Sequence, residues 1–255
     1  MNSHARYAAR MKRLGDVIIL ELPATLMSTP SVIHPVALVG PDHILTLVDT
    51  GLPGMLDAII GELHAADFTL GQVRRVIVTH HDLDHIGSLE AVVHATGAEV
   101  WALEPEVPYV TGERRAQKLP SPEQAQAMLA DPDLNPVMRA MLTREPVRMP
   151  VSRALRGGDL LPGQVRVIAT PGHTPGHLSL LVPGGNILIS GDALTSQDGA
   201  LHGPMPRATP DLPGAHDSVR RLAQEDVQTI VTYHGGVVSD DAGGQLRALA
   251  ASLDS

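Results

Sequence analysis

Cysteine is absent from this chain of 255 residues. That single absence excludes disulfide bonds, thiolate nucleophiles and Cys-ligated zinc together, and leaves His, Asp and Glu as the available metal ligands. Aromatic residues are almost as scarce, at 2% of the chain, with one Trp, one Phe and three Tyr. The core must therefore be built from Ala, Val, Leu, Ile and Met, and the stacking platforms that hold single-stranded nucleic acid are lacking. A net charge of −9 points the same way, because phosphate backbones are held by Lys and Arg. No nucleic-acid partner is expected. Long apolar runs are missing too. The basic stretch over residues 1–16 leads only into Val17 to Leu20, too short for a signal peptide or a membrane span. The expectation is a cytoplasmic protein with no membrane partner.

What is present describes an ordinary globular protein, with 43% hydrophobic and 18% charged residues. The length suits one compact domain over residues 1–255. Apolar runs predict strands over Val17 to Leu22, Val36 to Val39 and Ile44 to Val48, ending at the turn Asp49-Thr50-Gly51. Leu56, Ile59, Ile60 and Leu63 fall on one helix face and precede a strand from Val73 to Val78. Helix over Leu89 to His94 and strand over Glu99 to Leu103 follow. From about residue 104 to 156 prolines separate short helical pieces bearing Met128, Met138, Met141 and Met149, which reads as a helical insertion. Strands return at Val165 to Ala169, Leu178 to Val182, Ile187 to Ser190 and Thr229 to Thr232, with helices near Ala215 to Leu222 and Gln245 to Leu253. Strands and helices thus recur in both halves of the chain.

Chemistry concentrates at the ends of these strands. His80, Asp82, Asp84 and His85 crowd two imidazoles and two carboxylates into six positions, a grouping that desolvates and repels itself unless a cation compensates it. In an extended segment, positions 80, 82 and 84 point one way and His85 another, so that one loop serves two neighbouring ions. His173 lies in the rigid loop Pro171 to His177, Asp192 follows the strand ending at Ser190, and His234 follows the strand ending at Thr232. Taken singly, each of these three reads as a loop or turn residue. Together with the first cluster they place metal-ligand types at four strand ends, which is what a binding edge requires.

The whole pattern resembles the metallo-β-lactamase-fold superfamily. The residues that carry the resemblance are Thr79-His80-His81-Asp82-Leu83-Asp84-His85-Ile86-Gly87, then Pro171 to His177, Gly191-Asp192 and His234, in the family's order, with Asp49-Thr50-Gly51 matching its early strand end. The resemblance implies an α/β fold, a four-layer αββα sandwich with the metals between the sheet edges. It implies that His80, Asp82 and His173 hold one divalent ion, that Asp84, His85 and His234 hold a second, and that Asp192 bridges them. Asp82 departs from the family pattern, since a second His is usual there. The added carboxylate leans towards manganese or iron, with zinc still open.

By the same resemblance the activity is hydrolysis by a dinuclear centre whose ions share and activate a water, with Asp84 passing a proton to the leaving group. The expected substrate is a small ester, lactone or thioester. The alternatives are a phosphodiester or β-lactam on the same site, or a diiron oxygen or nitric oxide reductase needing a separate electron donor. Ala193-Leu194-Thr195 after Asp192 lack the tyrosine of quorum-signal lactonases, and few residues follow His234 to form a glutathione-binding or flavin domain. A small molecule is the expected partner, with a homodimer left open. Among the remaining histidines, His177 is expected to support the His173 loop, His81 to face solvent away from the ligands, and His34 and His202 to lie in surface loops.

Overall fold

The computed structural model describes residues 12–26 and 29–253; the basic stretch before residue 12 lies outside them. Among these described residues, sixteen short strands carry the architecture. They are β1 (Lys12–Leu14), β2 (Val17–Ile19), β3 (Leu22–Leu26), β4 (Thr29–Ile33), β5 (Val36–Val39), β6 (Leu45–Val48), β7 (Val73–Val78), β8 (Glu99–Leu103) and β9 (Arg153–Leu155) in the first part of the chain. β10 (Arg166–Ala169), β11 (Leu178–Val182), β12 (Ile187–Ile189), β13 (Thr195–Gln197), β14 (Ala200–His202), β15 (Thr229–Thr232) and β16 (Gly236–Val238) follow. Between and after them come helices α1 (Leu56–Ala65), α2 (Leu83–Ile86), α3 (Leu89–Thr96), α4 (Val107–Val110), α5 (Pro122–Leu129), α6 (Pro136–Thr143), α7 (Leu212–Leu222) and α8 (Ala242–Ser252).

One sheet runs in the order β1-β2-β5-β6-β7-β8-β9 and the other β10-β11-β12-β15-β16. β6 to β9 pair in parallel, as do β12 and β15; the remaining neighbours in the two sheets are antiparallel. Alternation along each strand explains how the sheets stack. Val17, Ile19, Val48, Ile77 and Trp101 from the first sheet meet Val167, Leu178, Leu180 and Ile189 from the second in one buried cluster. The neighbours that point the other way, such as Ile18, Leu47 and Val76, pack on Ile59 and Leu63 of α1 and Val92 of α3. On the far side Ile168, Leu188 and Ile230 pack on Val219 and Leu222 of α7 and Leu246 of α8. The result is the expected four-layer αββα sandwich. Strands buried on both faces have apolar residues at every position, which is why they read as continuous runs.

Several boundaries differ from the sequence reading. The run from Val17 to Leu22 is two strands, because β2 ends at Ile19 and β3 begins at Leu22 to form a separate hairpin with β4. The insertion does contain short helices, with Pro122 opening α5 behind a Ser121 capping box and Pro136 opening α6. It closes, however, with β9, which pairs in parallel with β8 and completes the first sheet's edge. Among the described residues, no helix is long and apolar enough to cross a membrane.

Candidate metal centre

The parallel strands end at one side of the sandwich, and their ends supply the polar groups. β7 runs directly into Thr79, His80, His81 and Asp82, and Asp82 then stands at the N-terminal end of the one-turn helix α2. The segment is therefore extended only as far as Asp82. Strand alternation does align His80 with Asp82, but the helical turn swings Asp84 and His85 towards His234, so position 84 does not share a direction with 80 and 82. Three overlapping groups result: His80 with Asp82 and His173; His80 with His85 and Asp192; Asp84 with His85 and His234. Within each group the donor atoms lie within 4.8 Å of one another.

Asp192 sits between the two halves. Its Oδ1 is 3.3 Å from His85 Nε2, and its Oδ2 is 3.4 Å from both His173 Nε2 and His234 Nε2. His234 Nε2 is 3.3 Å from Asp84 Oδ2, and His80 Nε2 is 3.3 Å from Asp82 Oδ2. His80, His85 and His173 are buried, whereas Asp82, Asp84 and His234 are half-buried and form the open rim. His80 Nε2, His85 Nε2 and Asp192 Oδ1 are buried without a hydrogen-bond partner among the described residues. Buried polar atoms are normally satisfied, so converging orphan acceptors of these types fit a cation.

Surrounding groups aim the donors. Asp49 accepts hydrogen bonds from the Thr79 backbone N–H at 2.8 Å and the Thr79 hydroxyl at 2.7 Å, and its Oδ2 is 2.8 Å from His85 Nδ1. That contact turns His85 Nε2 towards Asp192. Tyr233 stacks on the His85 ring with centroids 3.8 Å apart and donates its hydroxyl to the Asp84 carbonyl. In the His173 loop, Gly172 has φ 133°, and a Cβ there would stand 2.2 Å from the backbone nitrogen of Ala215 at the start of α7. Gly176 approaches Glu106 as closely, a Cβ lying 2.3 Å from its backbone nitrogen. His177 is fully buried with both ring nitrogens engaged, Nδ1 with the Thr170 hydroxyl at 2.8 Å and Nε2 accepting from the Asp192 backbone N–H at 3.0 Å. It supports the loop, as the sequence suggests.

His81 is the clear correction. Strand alternation does turn it away from the ligand atoms, but it is buried rather than exposed, because the start of the insertion closes over that side. Its ring stacks on Tyr109 at 4.5 Å and pairs through Nδ1 with Glu106. Glu106, fully buried, also accepts from the His81 backbone N–H at 2.8 Å, the Thr174 hydroxyl at 3.0 Å and the Gly176 backbone N–H at 2.8 Å. It ties the His80 loop to the His173 loop. Lys118, from residues between α4 and α5, donates to Asp82 and to His173 Nε2, the latter at 2.7 Å. Neither Glu106 nor Lys118 carries a local sequence signal; both lie in the stretch read as a helical insertion. Asp49 had one, the Asp-Thr-Gly turn after β6. His34 is half-buried with Nδ1 3.1 Å from the Tyr233 carbonyl, and His202 is exposed in β14.

With no metal bound, charge is distributed unevenly over the imidazoles. Burial, helped by neighbouring His85, holds His80 well below the ordinary histidine range, and burial takes His177 down to about 3. Burial also opposes charge on His85 and His234, yet the nearby carboxylates win. Asp192, Asp49 and Asp84 push His85 well up, and Asp192 and Asp84 push His234 up to about 10. Burial raises Asp82 and Asp192 as well, but it is outweighed by His80, His173 and Lys118 around Asp82 and by His234 and His85 around Asp192, which hold both carboxyls well below the usual range.

The sequence model of the metallo-beta-lactamase superfamily matches residues 31–234. The probable metallo-hydrolase YflN of Bacillus subtilis is 30% identical over 205 residues, covering 76% of each chain. A hydroxyacylglutathione hydrolase of Rhodobacter capsulatus is 29% identical over 128 residues, 49% of this chain and 35% of that enzyme. Among solved structures, the metallo-beta-lactamase family protein TTHA1429 of Thermus thermophilus superimposes with a TM-score of 0.72 over 94% of this chain and 80% of that one, at 23% identity.

Proposed function

The chain belongs to the metallo-beta-lactamase superfamily and is a metallo-hydrolase, and from that premise we propose that it cleaves a small ester, lactone or thioester at a dinuclear centre. In this reading His80, Asp82 and His173 hold one divalent ion, Asp84, His85 and His234 hold the other, and Asp192 lies between them. The observation that carries it is the set of three overlapping donor groups, in which the buried His80 Nε2, His85 Nε2 and Asp192 Oδ1 have no hydrogen-bond partner among the described residues. When bound, two such ions lower the pKa of a water between them and polarise a carbonyl oxygen.

The protein's own contribution is placement and proton handling. Asp49 and Tyr233 hold the His85 ring, and His177 fixes the backbone of Asp192. Glu106 keeps the two ligand-bearing loops at a constant separation. Asp84 stands at the half-buried rim, where a carboxylate oxygen can take the proton of the attacking water and return it to the leaving alcohol or thiol. An acyl substrate is favoured over a phosphodiester by the net charge of −9, which repels polyanions. The relationship to a hydroxyacylglutathione hydrolase adds support for thioesters within that group. With three carboxylates in the ligand set, manganese or iron is favoured over zinc.

The test is hydrolysis of a panel of esters, lactones, thioesters, β-lactams and phosphodiesters by protein reconstituted separately with zinc, manganese and iron. Turnover of an acyl substrate should require metal and disappear in Asp192→Ala and His85→Ala, with circular dichroism unchanged. Full turnover by metal-depleted protein would falsify the reading, and exclusive turnover of a phosphodiester would replace the substrate class.

A further inference from the structure

Glu106 is a fully buried acid outside the candidate ligand groups. It closes the helical turn Glu104–Glu106 that follows β8 at the start of the insertion. Its two oxygens divide between two loops. Oε1 accepts from the His81 backbone N–H at 2.8 Å and pairs with His81 Nδ1. Oε2 accepts from the Thr174 hydroxyl at 3.0 Å and the Gly176 backbone N–H at 2.8 Å. His81 follows His80 in the chain and Thr174 follows His173, so each oxygen holds the neighbour of one donor in the group His80, Asp82 and His173. None of these bonds goes to Asp84, His85 or His234. That group is steadied instead by Asp49 beside His85 and by Tyr233, which stacks on the same ring.

Stability does not account for this arrangement. A buried carboxylate paired with an imidazole is seldom more stable than apolar side chains of the same volume. Here the pairing also leaves His81 Nε2 buried without a hydrogen-bond partner among the described residues. What the carboxylate supplies is fixed length and direction, because donors from two loops far apart in the chain converge on one planar group. The loops cannot draw closer, since a Cβ at Gly176 would already stand 2.3 Å from the Glu106 backbone nitrogen.

Resting on the dinuclear reading above, we propose that Glu106 is a positioning residue for the first metal position alone, setting the separation of His80 and His173 so that both hold one ion. Glu106→Gln keeps the size of the side chain but not all of its bonds. An amide has one acceptor oxygen and one donor nitrogen. In either orientation the backbone N–H of His81 or that of Gly176 therefore faces a second donor, and one loop is released.

Cobalt affinity, measured by competition with a chromophoric chelator, tests this role without turnover. His234→Ala leaves the first group of donors complete, and His173→Ala leaves the second. In the His234→Ala background Glu106→Gln should weaken cobalt binding about 10–100-fold, the scale of lost support behind a metal ligand. In the His173→Ala background it should change nothing. Thr174→Val, which removes one bond without setting two donors face to face, should give a smaller loss with the same preference, and it decides the matter if Glu106→Gln does not fold. Equal weakening in both backgrounds overturns the proposal by making Glu106 a general support of the fold, and no weakening in either overturns it as well. Affinities that split as expected in a protein that hydrolyses no substrate uphold the positioning role and remove the hydrolase reading; wild type that binds no cobalt overturns both.

Discussion

Asp49 is not among the candidate ligands, yet it directs one of them. Its carboxylate braces Thr79 by two hydrogen bonds and stands 2.8 Å from His85 Nδ1, leaving Nε2 as the atom that faces Asp192. Carboxylates behind ligating histidines fix tautomer and orientation, and their loss typically weakens metal binding about 10–100-fold. On the proposed dinuclear reading, Asp49→Ala should lower affinity at the Asp84, His85 and His234 group by that order while the His80, Asp82 and His173 group keeps its ion, as read by titration with a chromophoric chelator. Equal loss of both ions would show that Asp49 supports the loop rather than His85.

At the scale of elements, the His173 loop depends on close approach to α7. Gly172 adopts φ 133°, and any Cβ there meets the Ala215 backbone at 2.2 Å. Gly172→Ala should cost about 1–3 kcal/mol from backbone strain alone, with further loss from the clash, seen as a lower melting temperature and weaker metal retention. Gly61 supplies the contrast, because it lies inside α1 with open space where a Cβ would go. Gly61→Ala should hold or raise stability by about 0.5–1 kcal/mol, through helix propensity. If both substitutions shift melting alike, the loop is not constrained in this way.

For the whole molecule, the metal-free centre is a set of coupled charges, and its pH response follows. His234 moves from an ordinary 6.5 up to about 10 in the folded protein. A raised histidine contributes stability that is fully present below the unfolded value and is lost as pH rises through the folded one. Metal-free protein should therefore lose stability between about pH 7 and about pH 10, and metal-loaded protein should not, since its imidazoles are already neutral. Loading at pH 7 should release about two protons, from His85 and His234, because His80 is held neutral beforehand. Calorimetry in buffers of differing ionisation enthalpy counts them, and a flat stability profile for the metal-free protein would contradict the charge assignment.

The αββα layering was expected from the resemblance carried by His80, Asp82, Asp84, His85, His173, Asp192 and His234 in their order, while the apolar runs marked only the individual strands. Local periodicity also placed α1 and β7. Other features depended on contacts between residues far apart in the chain. The break of the first strand at Ile19 follows from β3 pairing with β4 rather than with the first sheet, and β9 exists because it has β8 to pair with. His81 is buried because Glu106 and Tyr109 come over it from the insertion, and the rim gains Lys118 from the same source. Periodicity records which way a residue faces relative to its own element. What that face meets is decided only when distant segments pack, and so the tertiary structure alone assigned Glu106, Tyr233 and Lys118 to the centre.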